Sequence, residues 1–221
     1  MERVLITGAN RGVGLELARH YARQEWAVIG VCRQSSEELA AVAEQVIDGV
    51  DVTQAAGIER LVSAVSQTDG LDLLINNAGL LHDEVLGDID FDSIRAQMEI
   101  NAYAPLRVTE ALLPYLREGA KIANITSRMG SIADNDSGGR YGYRASKAAL
   151  NAFGRSLAMD LKPRGIAVAQ LHPGFVKTRM VNFGGLITPA ESALGLATRI
   201  EALNLDNTGS FWHSNGEELP W

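Results

Sequence analysis

The sequence predicts an α/β fold: a doubly wound, mostly parallel seven-stranded sheet with helices on both faces. Three observations carry this. Seven short runs rich in Val, Ile and Leu alternate with longer amphipathic or alanine-rich stretches. Several of the short runs are apolar at successive positions, as strands covered on both faces require. Glycine is abundant, 22 of 221 residues, and proline scarce at 6, so the turns are made with glycine.

Taken in order, the expected elements begin with a strand at Arg3–Thr7 and a helix at Val13–Gln24. A strand at Ala27–Cys32, a helix at Ser36–Glu44, a strand at Val46–Val52 and a helix at Gln54–Ser66 follow. Ser36 and Thr53 are residue types that cap helix N-termini. After a strand at Leu71–Asn76 comes a long helix, Phe91–Arg117, which Pro105 should kink and Gly119 should terminate. A strand at Lys121–Ser127, a helix at Tyr143–Leu161, a strand at Ile166–His172, a helix at Pro189–Ala202 and a strand at Gly209–Trp212 complete the alternation. Pro189 suits a first helical turn. Such alternation implies right-handed crossovers within one domain, residues 1–221, with no repeat or linker to divide it.

Composition narrows the function classes. Twenty Lys and Arg against 27 Asp and Glu give a formal charge of −7, which argues against nucleic acid or an anionic membrane as the main partner. One cysteine, Cys32, leaves no intramolecular disulfide and no multi-cysteine zinc site. The apolar start Val4-Leu5-Ile6 is shorter than a signal-peptide core, so the expected location is cytoplasmic. His20, His82, His172 and His213 are scattered, without metal-ligand spacing, and no metal is expected.

The first strand runs into Thr7-Gly8-Ala9-Asn10-Arg11-Gly12-Val13-Gly14 and then a helix. Gly8 suits a tight turn, Gly12 a close approach to a pyrophosphate, and Gly14 close packing of helix on sheet. The helix N-terminus offers N–H donors and a favourable dipole. The spacing departs from G-x-G-x-x-G, but a glycine turn in the first βα unit is the right context for a dinucleotide. At the end of the second strand, where an acidic residue would bind the ribose 2′-hydroxyl of NAD, this chain has Arg33. With Arg11 it makes two guanidinium groups suited to a 2′-phosphate, so NADP(H) is expected over NAD(H), which stays possible.

Four motifs in register resemble the short-chain dehydrogenase/reductase family, whose fold is of Rossmann type. They are T-G-x-x-x-G-x-G at Thr7–Gly14, Asn76-Asn77-Ala78-Gly79, Tyr143-x-x-x-Lys147, and Pro173-Gly174 after the sixth strand. The segment Thr126–Lys147 and the ending Gly216–Trp221 are similar to the C-factor and sniffer-like carbonyl reductase branch. Tyr143 and Lys147 stand one helical turn apart and share a face. A nearby ammonium favours the phenolate, so Lys147 is expected to lower the Tyr143 pKa and make it an acid/base group. Tyr141 competes, but four residues beyond it stands Ala145.

Ser127, at the C-terminal edge of its strand, is expected to polarise the substrate oxygen, with Ser131 as the alternative. Its spacing of 16 to Tyr143 implies an insertion around Asp134–Arg140. The resemblance implies that Asn101 completes a catalytic tetrad by holding a water that links Lys147 to solvent. It also implies that Asp51, with Val52, meets the adenine, unless Asp51 caps the following helix. Asn77, Ala78 and Gly79 would line the adenosine ribose, and Asn10 and Val13 would belong to the phosphate turn. Lys147 would hold the nicotinamide ribose, and Pro173, Gly174, Val176 and Thr178 would lie against the nicotinamide. Specificity would reside in the 14 residues Phe175–Thr188, too few for a deep lid; an open site lined by Phe175, Met180 and Phe183 is expected.

The small residues Ala148, Ala149, Ala152, Gly154, Ser156 and Ala158 suit close helix packing, and relatives use this helix in homodimers or homotetramers. The implied activity is NADP(H)-dependent interconversion of a carbonyl and an alcohol on a small molecule. Its rivals are an NAD-linked alcohol or hydroxysteroid dehydrogenase and a dinucleotide-binding regulator.

Overall fold

A computed structural model describes residues 1–221. Seven strands form one sheet in the order β3-β2-β1-β4-β5-β6-β7, every pairing parallel. The strands are β1 (Arg3–Thr7), β2 (Ala27–Val31), β3 (Gln45–Ile47), β4 (Leu71–Asn76), β5 (Leu116–Ile125), β6 (Ala167–His172) and β7 (Phe211–His213). This is the doubly wound Rossmann-type sheet. The order reverses between β1 and β4, and that switch point opens the crevice where such sheets bind ligands.

Seven α-helices cover the two faces: α1 (Gly12–Arg23), α2 (Glu37–Ala40), α3 (Ala55–Val65), α4 (Phe91–Met98), α5 (Ala104–Leu112), α6 (Tyr141–Leu161) and α7 (Pro189–Ala202). One buried apolar layer joins α1 and α7 to the sheet through Leu17, Ile6, Ile75 and Leu196. The other joins α3, α5 and α6 through Leu61, Leu5, Leu74, Leu112, Ala158 and Val168. A line of amides crosses the core within hydrogen-bond reach. Asn76 Nδ2 donates to Asn124 Oδ1 (2.9 Å), and Asn124 Nδ2 donates to Gln170 Oε1 (3.2 Å).

The long helix expected over Phe91–Arg117 is broken. Pro105 has no N–H for the Asn101 carbonyl four residues earlier, and the helix widens into a π turn over Glu99–Tyr103 before α5 resumes. Pro114 lies in a 3₁₀ turn at Leu113–Tyr115, and Leu116 already pairs with Leu71 in the sheet. Gly119, expected to end that helix, is instead a left-handed bend (φ +81°) inside β5.

Other boundaries and caps differ as well. Of the expected strand Val46–Val52 only Val46 and Ile47 are strand, following Gln45 in β3, because the chain turns at Gly49 (φ +69°). Helix α2 is a single turn, capped as expected by the Ser36 hydroxyl accepting from the Leu39 N–H (3.2 Å). Thr53 caps nothing: its N–H and hydroxyl both donate to Asp51 Oδ1, at 2.9 and 2.7 Å. Helix α7 begins at Pro189 as expected, and a capping box between Thr188 and Glu191 closes its N-terminus.

The small residues of α6 divide between two faces. Gly154 and Ala158 are buried, Ala152 and Ser156 are exposed, and Ala148 and Ala149 are half-buried. A Cβ at Gly154 would fall 1.9 Å from Gln170 Oε1, so this glycine serves packing within the monomer.

Candidate active site

The C-terminal ends of β1, β2, β4, β5 and β6 open into one cavity of about 1070 Å³. At one end the β1–α1 turn is held by tertiary hydrogen bonds. The buried Thr7 hydroxyl accepts from the N–H groups of Asn77 (3.0 Å) and Ala78 (3.1 Å). Asn77 Nδ2 donates to the Thr7 and Gly8 carbonyls, at 3.0 and 3.1 Å. Asn77 therefore braces the turn with its side chain while lining the cavity beside Ala78 and Gly79.

The backbone of this turn needs its glycines. Gly8 and Gly12 hold left-handed backbone (φ +66° and +57°). A Cβ on Gly14 would sit 2.4 Å from the Gly8 carbonyl oxygen and 2.5 Å from Asn77 Nδ2. No side chain caps α1 and no acidic residue occupies its first turn. Bare N–H donors at a dipole N-terminus fit a diphosphate, so the turn suits the expected dinucleotide.

Arg11 and Arg33 line this end with Asn10, Val13, Asp51 and Val52, and neither guanidinium is committed to a salt bridge. Burial alone would raise the Asp51 pKa, but the two Thr53 hydrogen bonds and the Arg33 charge outweigh it and hold the carboxyl below its usual value. Asp51 thus braces the approach to α3 and also faces the cavity.

At the other end stand Ser127, Tyr143 and Lys147, each nine-tenths buried. Ser127 follows β5, and its Oγ accepts from the Met129 N–H (3.1 Å). Its competitor Ser131 is engaged elsewhere: its hydroxyl donates to the Trp221 carbonyl (3.2 Å) and accepts from the Asp134 N–H (3.0 Å). Helix α6 starts two residues before the expected Tyr143, and Tyr141 is exposed.

Lys147 Nζ lies 5.9 Å from the Tyr143 ring centre and donates to the Ile125 carbonyl (2.9 Å). Burial lowers the Lys147 pKa to about 7. Tyr143 departs from expectation: burial raises its pKa, and the Ser127 hydroxyl and the Arg140 charge only partly oppose this. Burial disfavours the Lys147 ammonium as well, and Lys147 does not act among the groups that lower the phenol. Tyr143 is thus held as the neutral phenol.

Asn101 is fully buried, but its side chain is occupied. Nδ2 donates to the Leu80 carbonyl (2.7 Å) and Ser146 Oγ (3.0 Å), and Oδ1 accepts from the Leu80 N–H (2.8 Å). The amide therefore fixes the segment after Gly79.

Pro173, Gly174, Val176 and Thr178 line the cavity with Phe175, Met180 and Phe183. The segment folds back on itself, Lys177 N–H to the Ile187 carbonyl (2.9 Å) and Leu186 N–H to the Phe175 carbonyl (2.7 Å). It is a compact flap whose Phe175 and Phe183 remain largely exposed. His172 was missed: it lines the cavity with His213 edge-on at 4.7 Å. Burial, then His213, Arg128 and Lys147, lower its pKa to about 3. Only its place beside Pro173-Gly174 could have signalled it.

The model of the short chain dehydrogenase family matches residues 2–184. The chain belongs to that family. This short-chain dehydrogenase is 41% identical over 226 residues, all of both chains, to the 1-hydroxy-2-glutathionyl-2-methyl-3-butene dehydrogenase of Rhodococcus sp. strain AD45. It is 45% identical over 157 residues to the C-signal protein of Myxococcus xanthus, covering 70% of this chain and 95% of that one. Among solved structures it is similar to the carbonyl reductase Sniffer of D. melanogaster (TM-score 0.91, 30% identity, all of both chains). It is likewise similar to an NADPH-bound carbonyl reductase from chicken fatty liver (TM-score 0.90, 30% identity, 100% and 99% of the chains). It is an oxidoreductase of the nicotinamide-using type, and no helix is long and apolar enough to cross a membrane.

Proposed function

We propose that this short-chain dehydrogenase is a cytoplasmic, NADP(H)-preferring reductase of small aldehydes or ketones. The observation that carries the reading is one cavity joining an uncapped helix N-terminus and two uncommitted arginines to a buried Ser127–Tyr143–Lys147 cluster. Arg11 and Arg33 bind the 2′-phosphate, and the Gly12–Gly14 turn takes the diphosphate. When bound, the nicotinamide supplies the hydride. Ser127 donates a hydrogen bond to the carbonyl oxygen, and Tyr143 gives that oxygen its proton. Lys147, poised near neutrality, returns a proton to Tyr143 and orients the ribose. The Asn101 carbonyl anchors the water that resupplies Lys147. Phe175, Met180 and Phe183 give an open, apolar rim suited to carbonyls of varied shape. The exposed side of α6, with Ala152 and Ser156, is the surface for a homodimer or homotetramer, which light scattering at low concentration checks.

The test is NADPH and NADH consumption with a panel of aldehydes and ketones, with the alcohol product identified by mass spectrometry. Alcohol formation that prefers NADPH supports the reading; none with any carbonyl removes it. Similarity to C-signal favours a second reading, a dinucleotide-binding regulator. A Tyr143→Phe chain that binds NADPH and keeps its effect in the cell would select that one.

A further inference from the structure

The segment between β4 and α4 is exposed from His82 to Asp88, with one interruption. Asp83, Val85, Leu86 and Gly87 face solvent, yet Glu84 between them is 4% exposed. A carboxylate is rarely buried unless its oxygens are satisfied. No cation pairs with this one. Glu84 Oε2 accepts from the Gly142 N–H (3.1 Å), and Oε1 accepts from Ser93 Oγ (3.1 Å) and Gln97 Nε2. Its main-chain carbonyl accepts from the Arg140 N–H (3.2 Å).

Helix α6 needs such an acceptor. Its N-cap, Arg140, is left-handed (φ 51°, ψ 46°) and offers no side-chain cap, and its first turn holds no acidic residue. The orphan N–H groups of a buried helix start must find a partner. Gly142 is what lets the carboxylate approach: a Cβ there would fall 2.7 Å from Gln97 Nε2 and 2.8 Å from Glu84 Oε1. The next residue is Tyr143. The contacts reach further, since Gln97 Oε1 accepts from the His82 N–H (3.0 Å) and Asp83 is ion-paired with Arg140.

We propose that Glu84 is a positioning residue for Tyr143, a carboxylate from a distant loop that caps α6 and sets the height of the proton donor in the cavity. Glu84 does not line that cavity, so its effect passes through the helix. The proposal rests on the reading of Tyr143 as the proton donor.

The test uses the full chain, 4-nitrobenzaldehyde and NADPH, with three readouts: steady-state kcat and KM, NADPH affinity by fluorescence, and deuterium uptake along the backbone. Glu84→Ala is expected to lower kcat about 10- to 100-fold, since small misplacements of reacting groups cost on that order. NADPH affinity stays within about twofold, and uptake rises over residues 141–147 but not in α1. Glu84→Gln keeps an acceptor for the Gly142 N–H and recovers kcat to within about fivefold of the parent, as a retained cap implies. Gly142→Ala, which pushes the carboxylate away, reproduces the loss.

Unchanged kcat and uptake in Glu84→Ala would overturn the proposal. So would equal losses in the Ala and Gln variants with uptake rising throughout the chain. If the parent chain reduces no aldehyde, the reductase reading fails by itself. The uptake and NADPH measurements then still decide whether Glu84 caps α6.

Discussion

Lys147 is a side chain whose chemistry departs far from what its type suggests. Its folded pKa of about 7 lies below the ordinary 10.5 because burial penalises the ammonium. The unfolded chain therefore holds a proton that the folded chain releases above pH 7, and unfolding free energy gains with pH from there. Below pH 7 both states are protonated and the burial cost stands in full. Replacing Lys147 by Met should abolish that gain between pH 7 and 9 in urea titrations; an identical pH slope in both proteins would refute the assignment. His172 works at the acid end. With its folded pKa near 3, it resists the proton that the unfolded chain accepts near 6.5, so stability falls as pH drops through that window. His172→Gln should flatten the fall. Arg33→Asp should cut the preference for NADPH over NADH about 10- to 100-fold, the worth of charge-assisted bonds to a phosphate. The residues in the cavity were legible because their types and spacings are chemical requirements. Their ionisation was not, because burial of Tyr143 and Lys147 is set by elements far away in sequence.

Among the elements, α1 and β1 follow directly from pattern, since an apolar run, a glycine turn and an amphipathic stretch admit one reading. Gly14→Ala tests how tightly they are joined. Its Cβ would overlap the Gly8 carbonyl and Asn77 Nδ2, costing about 1–3 kcal/mol as overpacking does. Both thermal stability and NADPH affinity should drop; a variant that melts and binds like the parent would show that the turn yields. The stretch Phe91–Arg117 was harder to read. Its helical periodicity continues through Pro105 because a π turn absorbs the missing hydrogen bond, and nothing local marks Leu116 as the start of a strand. That strand exists because Leu71 pairs with it. The capping of α6 by Glu84 was invisible for the same reason, being a contact across 58 residues.

For the whole molecule, the sheet places every reacting group at one edge, so cofactor binding and fold stability should be linked. NADPH at about 100 times its Kd should contribute about 2.7 kcal/mol, a rise in Tm of roughly 5–10 °C for a chain of this size. NADH at the same concentration should give less, and equal shifts would contradict the role of Arg11 and Arg33. The topology was readable from the alternation of runs, whereas the strand order and the meeting of His172 with His213 depended on pairing that no local pattern encodes. The proposed reduction depends on a neutral, buried Tyr143 delivering the proton to the carbonyl oxygen. Its most direct test is kcat for aldehyde reduction in the Tyr143→Phe chain, with NADPH affinity measured on the same samples. A loss of at least about 100-fold in kcat is expected, the scale of general acid catalysis, with NADPH bound as before. A variant that reduces aldehyde at the parent rate would contradict it.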